Sequence, residues 1–457
     1  MCPRMDESRI RGGELELVGG EVMGYLRDRL RRSWANPGGM ARRNTSGDTK
    51  RLWRQTSQEL PKNRMSELVL AYLERVREFI RASAADFSLA QNRDTDAAFN
   101  NLALELFALQ FNANEPYRRF CLARGVTPEA VDSWRQIPAI ATAAFRTCEL
   151  TLLSPAERTR VFHSSGTTGQ GRSRHFHNAA SLALYEASLR PWFAHCLLAR
   201  QNAETRPARR PMIMLTPAPD QAPHSSLAHM LGTVRQAYGS DRSTWTGRVD
   251  AQGGWAVDMR LTIQELTRAQ EAREPVAVLG TAFGFVQLLD YCAGHQLAFD
   301  LPGDSWAMET GGYKGRSRIL SKAELHDQIA QRLGVTRGQV RCEYGMCELS
   351  SQAYDLPAST VHESTAITPA QNDDADRRMQ FPPWARARVI SPETGKPVAA
   401  GDLGLVQVFD LANVSSAAAV QTEDLGRAAG EGFYLLGRAP EAETRGCSLM
   451  AVDTVQG

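Results

Sequence analysis

Two short, unbroken apolar runs, residues 212–216 (MIMLT) and 276–279 (VAVL), constrain this chain most. Runs of four or five residues without polar alternation fit strands buried on both faces, as in parallel sheets covered by helices. Residues 339–343 predict another strand, and helical spacing fills the intervals at 179–199, 259–272 and 321–333. The last helix opens on Ser321-Lys322-Ala323-Glu324, a capping-box pattern, and stops at Gly334. Strands alternating with helices argue for an α/β layer architecture.

The flanking regions differ in texture. Val69, Tyr72, Leu73, Val76, Phe79 and Ile80 share one helical face, with Ser66 placed to cap, and a second apolar helix is expected over 96–111. After about Phe381, candidate strands at 387–390, 405–410 and 433–436 are joined by Gly/Pro turns, as in a small β-subdomain. The expected division is therefore a 1–64 extension, a 65–160 helical region, a 161–380 α/β core and a 381–457 β-subdomain with the chain end. Gly12-Gly13, Gly19-Gly20 and Asn36-Pro37-Gly38-Gly39 break every candidate helix in the extension, which reads as flexible. Met65 is a candidate natural start.

Charge and cysteine content narrow the function classes. Residues 1–64 hold 14 Lys and Arg against 8 Asp and Glu, a net +6, whereas the rest holds 39 against 43, a net −4. Nucleic-acid binding needs a basic stripe on the folded domain, and this body is mildly acidic. No apolar stretch is long enough for a membrane span, and no signal-like segment opens the chain. With 42% apolar and 23% charged residues, the composition is that of a folded globular chain. Eight cysteines form no C-x-x-C pair and nine histidines show no zinc spacing, so free thiols in a reducing cytoplasm are expected.

The densest chemical signal is Ser164-Ser165-Gly166-Thr167-Thr168-Gly169-Gln170-Gly171, with Arg172 and Arg174 behind it. Glycines let backbone N–H groups turn toward an anion, and hydroxyls and guanidinium groups add donors. The spacing is not that of a Walker loop. Taken alone, the string suits either a polyphosphate tail or an ordinary Ser/Gly turn. Glu343-Tyr344-Gly345-Met346-Cys347-Glu348 follows a predicted strand, so Glu348 is a candidate Mg²⁺ ligand or a surface glutamate in a turn. Thr422-Glu423-Asp424 and Gly437-Arg438 follow in order.

These strings resemble the signatures of adenylate-forming enzymes such as acyl-CoA synthetases and luciferases. The resemblance implies that Ser164, Ser165, Gly166, Thr167, Thr168 and Gly169, with Arg172 or Arg174 in place of the usual lysine, hold the phosphates of ATP. It implies an adenine-facing role for Gly311, Gly312, Tyr344 and Gly345, and a Mg²⁺-binding catalytic role for Glu348. Asp424 would accept the ribose hydroxyls and Arg438 would reach ribose or phosphate. Cys347 stands where the family usually has threonine, which weakens or removes a hydroxyl contact.

Finer wording narrows the resemblance. Glu309-Thr310-Gly311-Gly312-Tyr313-Lys314-Gly315-Arg316, residues 344–354 (YGMCELSSQAY) and Arg445-Gly446-Cys447-Ser448-Leu449 look like the acyl-protein synthetase of bacterial luminescence, the LuxE type. The resemblance covers about residues 65–457. It implies an adenylate-forming body without the full mobile C-terminal domain. It also implies a fatty-acid substrate, acyl transfer to Cys447, and delivery to an acyl reductase partner of the LuxC type. A carboxylate–CoA ligase of the phenylacetate type and a non-catalytic nucleotide-binding scaffold are the competing expectations. His163, His224 and His229 are read as site-wall or core histidines rather than bases.

Overall fold

A computed structural model describes residues 62–87, 93–164, 171–198, 209–251, 253–312, 318–357, 377–430 and 432–439. Residues 1–61, the core of the Gly-rich string (Ser165, Gly166, Thr167, Thr168 and Gly169) and Cys447 lie outside them.

Two long helices come first, α1 (Lys62–Ala85) and α2 (Arg93–Ala113). Tyr72, Leu73, Val76, Phe79 and Ile80 of α1 are all buried, as their spacing predicts. Ser66 does not cap α1, because the helix starts four residues earlier. Lys, Arg and Met have high helix propensity, so the turn before Ser66 is helical too.

The strands are β1 (Ile140–Ala141), β2 (Arg160–His163), β3 (Arg174–His177), β4 (Met212–Met214), β5 (Thr244–Trp245), β6 (Gly247–Val249), β7 (Trp255–Val257), β8 (Ala277–Thr281), β9 (Trp306–Thr310), β10 (Val340–Tyr344), β11 (Ala353–Pro357), β12 (Arg377–Gln380), β13 (Ala385–Ile390), β14 (Leu403–Asp410), β15 (Ala419–Ala429) and β16 (Gly432–Arg438). Among the described residues twelve of them form one sheet, in the order β13-β14-β15-β16-β12-β11-β10-β9-β8-β4-β5, with β1 added beside β15. The half from β5 to β10 is parallel. Along the path from β10 to β13 successive strands are antiparallel, and β1 pairs with β15 in parallel.

Helices α3 (Ala179–Phe193), α4 (Ser226–Tyr238), α5 (Met259–Glu271), α6 (Ala282–Gly294) and α7 (Lys322–Leu333) occupy the intervals between strands. Ser321 and Glu324 form the predicted capping box of α7, and Gly334 closes the helix at φ 69°, in the left-handed region. One core cluster joins Ile213, Val278, Ala307 and Val340 of the parallel strands to Leu266 of α5, Phe285 and Leu289 of α6, and Ile329 of α7. Burial on both faces explains why β4 and the start of β8 read as continuous apolar runs. Among the described residues no helix is long and apolar enough to cross a membrane.

Candidate active site

The parallel strands deliver three chain ends to one edge. Thr281 at the end of β8 pairs with Thr310 at the end of β9, which pairs with Glu343 near the end of β10. Open α/β sheets bind ligands outside these carboxyl ends. Gly311 leaves β9 at φ 73°, and Gly311 and Gly312 are both exposed. The Thr310 hydroxyl donates to Glu343, whose carboxyl group is pushed up to about 7, first by burial. Gly345 follows β10, and a Cβ there would sit 2.4 Å from Oε1 of Glu343. The glycine thus lets the buried carboxyl group fold back against the strand end.

Tyr344 and Asp424 meet across the sheet. The Tyr344 hydroxyl donates to Oδ2 of Asp424 at 2.8 Å. Its ring lies edge-on to Phe381 and Phe433, with centroids 6.2 and 5.5 Å away. Asp424 lies inside β15 rather than in a turn, directly opposite Arg438 of β16. The Arg438 guanidinium is 4.0 Å from Oδ1 of Asp424 and is largely exposed. Burial pushes the Asp424 carboxyl group up, opposed by the Tyr344 hydroxyl and Arg438. The structure therefore brings together Tyr344, Asp424 and Arg438, which the sequence placed in three separate strings.

Residues 345–352 join β10 to β11 and carry Cys347 and Glu348, both buried. The Cys347 thiol donates to Oε2 of Glu348 at 3.2 Å. Their carbonyl groups are also held. Nδ1 of His175 donates to Cys347 O at 2.7 Å, and Nδ2 of Asn413 donates to Glu348 O at 2.8 Å. Ser350 N and the Ser351 hydroxyl donate to the two oxygens of Asp410 at 2.9 and 2.8 Å. Sequence reasoning missed His175, Asp410 and Asn413. Their partners lie 172, 60 and 65 residues away, and no local pattern marks such contacts.

The stems of the Gly-rich string are the antiparallel pair β2–β3. The Ser164 hydroxyl accepts from Ser173 N at 3.0 Å, closing the base of the loop. Arg172 is exposed, whereas Arg174 pairs with Glu149 at 3.2 Å. His163 and His224 meet ring to ring at 5.0 Å, and His229 lies 3.3 Å from Glu186. Clefts of about 280 and 340 Å³ open beside β2 and share Arg160 and Pro223. No residue of the signature strings lines either cleft.

Among the described residues no three His, Cys, Asp or Glu side chains converge to cage a metal. Mg²⁺ needs no such cage, because one carboxylate with phosphate oxygens and water suffices. Glu348 offers one buried carboxylate whose thiol donor is weak, a donor set that fits a shared ion.

Comparison with known proteins places the chain in a family and a fold. The long-chain-fatty-acid–luciferin-component ligase of Aliivibrio fischeri is 22% identical over 339 residues, covering 72% of this chain and 78% of the relative. The enzyme of the same name from Vibrio harveyi is 22% identical over 328 residues, with 70% and 76% covered. The fold is similar to that of 2-hydroxyisobutyryl-CoA ligase in its postadenylation state with 2-HIB-AMP. That likeness has a TM-score of 0.51 at 13% identity, over 75% of this chain and 67% of the other. Residues 76–455 match the family described as Acyl-protein synthetase, LuxE. The α/β body has an adenylate-forming fold, and the chain belongs to the LuxE family of acyl-protein synthetases, AMP-forming ligases.

Proposed function

We propose that this chain activates a long-chain fatty acid with ATP and then carries the acyl group on its own Cys447. A carboxylate oxygen of the acid attacks the α-phosphorus, the bond to the β-phosphate breaks, and pyrophosphate leaves. The Cys447 thiolate then attacks the acyl carbon, AMP leaves, and the thiol proton passes to solvent. The acyl group goes on to an acyl reductase partner of the LuxC type. The observation that carries the nucleotide half is the Tyr344–Asp424 hydrogen bond, which joins two signature strings beside the parallel strand ends.

Each group has a task in this reading. Ser164, Ser165, Gly166, Thr167, Thr168, Gly169 and Arg172 hold the phosphates, and positioning with charge neutralisation is most of what such a transfer needs. Gly311, Gly312, Tyr344 and Gly345 flank the adenine, and Asp424 with Arg438 holds the ribose. Glu348 would hold Mg²⁺, which would supply charge neutralisation at the phosphates. The relatives named for a long-chain-fatty-acid substrate support the acid assigned here.

Pyrophosphate exchange across a series of carboxylic acids tests the first half and should peak with long-chain acids. No exchange with any acid would overturn it. Radiolabelled fatty acid with ATP tests the second. Wild type should gain label that neutral hydroxylamine removes, and Cys447→Ser should still form acyl-AMP without that label. Acyl-CoA formation that survives Cys447→Ala, with no protein-bound thioester in wild type, would favour a CoA ligase instead.

A further inference from the structure

We propose that His175 and Asn413 are positioning residues that fix the Glu348 turn relative to the Gly-rich string, a role that rests on the nucleotide reading above. Three chain segments meet here. The first is β3, which returns from the Gly-rich string and begins three residues after Gly171. The second is the turn 345–352 bearing Glu348. The third is the buried connection between β14 and β15, residues 411–418.

Hydrogen bonds close these segments into a ring. His175 on β3 donates to Cys347 O at 2.7 Å. Asn413 donates to Glu348 O and to Ala417 O, both at 2.8 Å, which uses both protons of its amide. Ser415, two residues on, returns to β3 by donating to Phe176 O at 3.0 Å. Gln110 of α2 anchors the connection from behind, donating to Asn413 O at 2.8 Å and accepting from Ala418 N at 2.8 Å. His175 and Asn413 are completely buried.

A carbonyl oxygen only accepts, so Nδ1 of His175 carries the proton in this contact. The ring ties both carbonyls around Cys347 and Glu348 to the strand that leaves the Gly-rich string. Movement of one segment therefore breaks buried hydrogen bonds to the other two, a cost that water does not offset there. A carboxylate that shares an ion with phosphates must sit at a set distance from the groups that hold those phosphates. Misplacement by about 1 Å in such a site costs on the order of 100-fold. His175 and Asn413 touch no reacting atom in this scheme, and act through Glu348.

The test is calorimetric binding of Mg-ATP to the full chain, alongside pyrophosphate exchange. His175→Phe removes the donor and keeps a planar ring. His175→Asn keeps a donor at the same branch of the side chain, because Asn Nδ2 sits where imidazole Nδ1 does. The expected result is a rise of about 10-fold in Kd for Mg-ATP with His175→Phe, and recovery to within about 3-fold with His175→Asn. The KM for fatty acid should stay within about 2-fold in both, since the ring of bonds faces the nucleotide strings. If His175→Phe lowers only the fraction of competent protein and leaves Kd at the wild-type value, the residue merely supports folding and the proposal fails. Wild type that binds no Mg-ATP would end the nucleotide reading and this inference with it. Wild-type binding with an unchanged His175→Phe Kd would end this inference alone.

Discussion

The Tyr344 hydroxyl donates to Asp424 Oδ2 across 80 residues of sequence, and this bond joins the parallel half of the sheet to the antiparallel half. Tyr344 ends β10, and Asp424 lies in β15. Removing the hydroxyl leaves a half-buried carboxyl group short of a donor. Tyr344→Phe should cost about 1–2 kcal/mol in denaturant unfolding. It should also raise the KM for ATP several-fold in pyrophosphate exchange while sparing the KM for the acid. An unchanged KM for ATP would separate this bond from nucleotide binding.

The Cys347–Glu348 contact predicts a graded series. A hydroxyl is a stronger donor to a carboxylate than a thiol, so Cys347→Thr should hold the KM for Mg-ATP at or below the wild-type value. Cys347→Val fills similar space without a donor and should raise that KM by about 5-fold, the equivalent of roughly 1 kcal/mol. Equal values for both variants would show that the sulfur contributes only packing.

Glu343 gives stability a pH dependence of unusual sign. Its ordinary value of 4.5 is raised to about 7, with burial the largest cause, the Thr310 hydroxyl opposing and Glu309 adding. As pH rises from 4.5 the unfolded chain loses this proton while the folded chain keeps it. Stability is therefore undiminished below pH 4.5, falls up to about pH 7, and stays lower above it, by at most about 3 kcal/mol. Glu343→Gln keeps an acceptor for Thr310 and carries no charge. It should unfold at higher denaturant than wild type at pH 8, and the two should converge at pH 4. Parallel curves at both pH values would refute the assignment.

Gly345 is expected to resist substitution. Gly345→Ala places a methyl group against the Glu343 carboxyl group, which must swing away from Thr310. A loss of about 1–3 kcal/mol in thermal or denaturant unfolding is expected. In the Glu343→Gln background the loss should persist, because the amide occupies the same space.

What the sequence reveals follows from where the information sits. Helix α7 is legible because its start signal, face and stop are local: Ser321, Glu324 and Gly334 lie within 14 residues. Strands β4 and β8 are legible because burial on both faces leaves residues 212–214 and 277–279 without a polar letter. Strand β9 (WAMET) is harder to read because buried Glu309 interrupts it, its Oε1 lying 3.1 Å from Nε2 of His326, 17 residues on. Strand β11 (AYDLP) hides behind buried Asp355, held by Lys322 at 3.0 Å and Arg377 at 3.4 Å. Asp424 falls in none of the strands expected from sequence, and its place in β15 emerges only with β14 and β16 on either side of it. The signature strings announce the chemistry, but their meeting depends on register, which no single segment contains.

The turn carrying Glu348 has a further consequence for how such a chain can change over generations. Tyr344 pairs with Ala353, so eight residues span a closure fixed at both ends by neighbouring strands. One inserted or deleted residue would slide β11 against β10 and turn Tyr354 and Asp355, both fully buried, toward opposite faces. Within the turn, Gly345 is held by the Glu343 carboxyl group and Ser350 and Ser351 by Asp410, so several of its letters are constrained as well. Its length is frozen by the strands on either side, and its letters are constrained position by position by what each side chain touches.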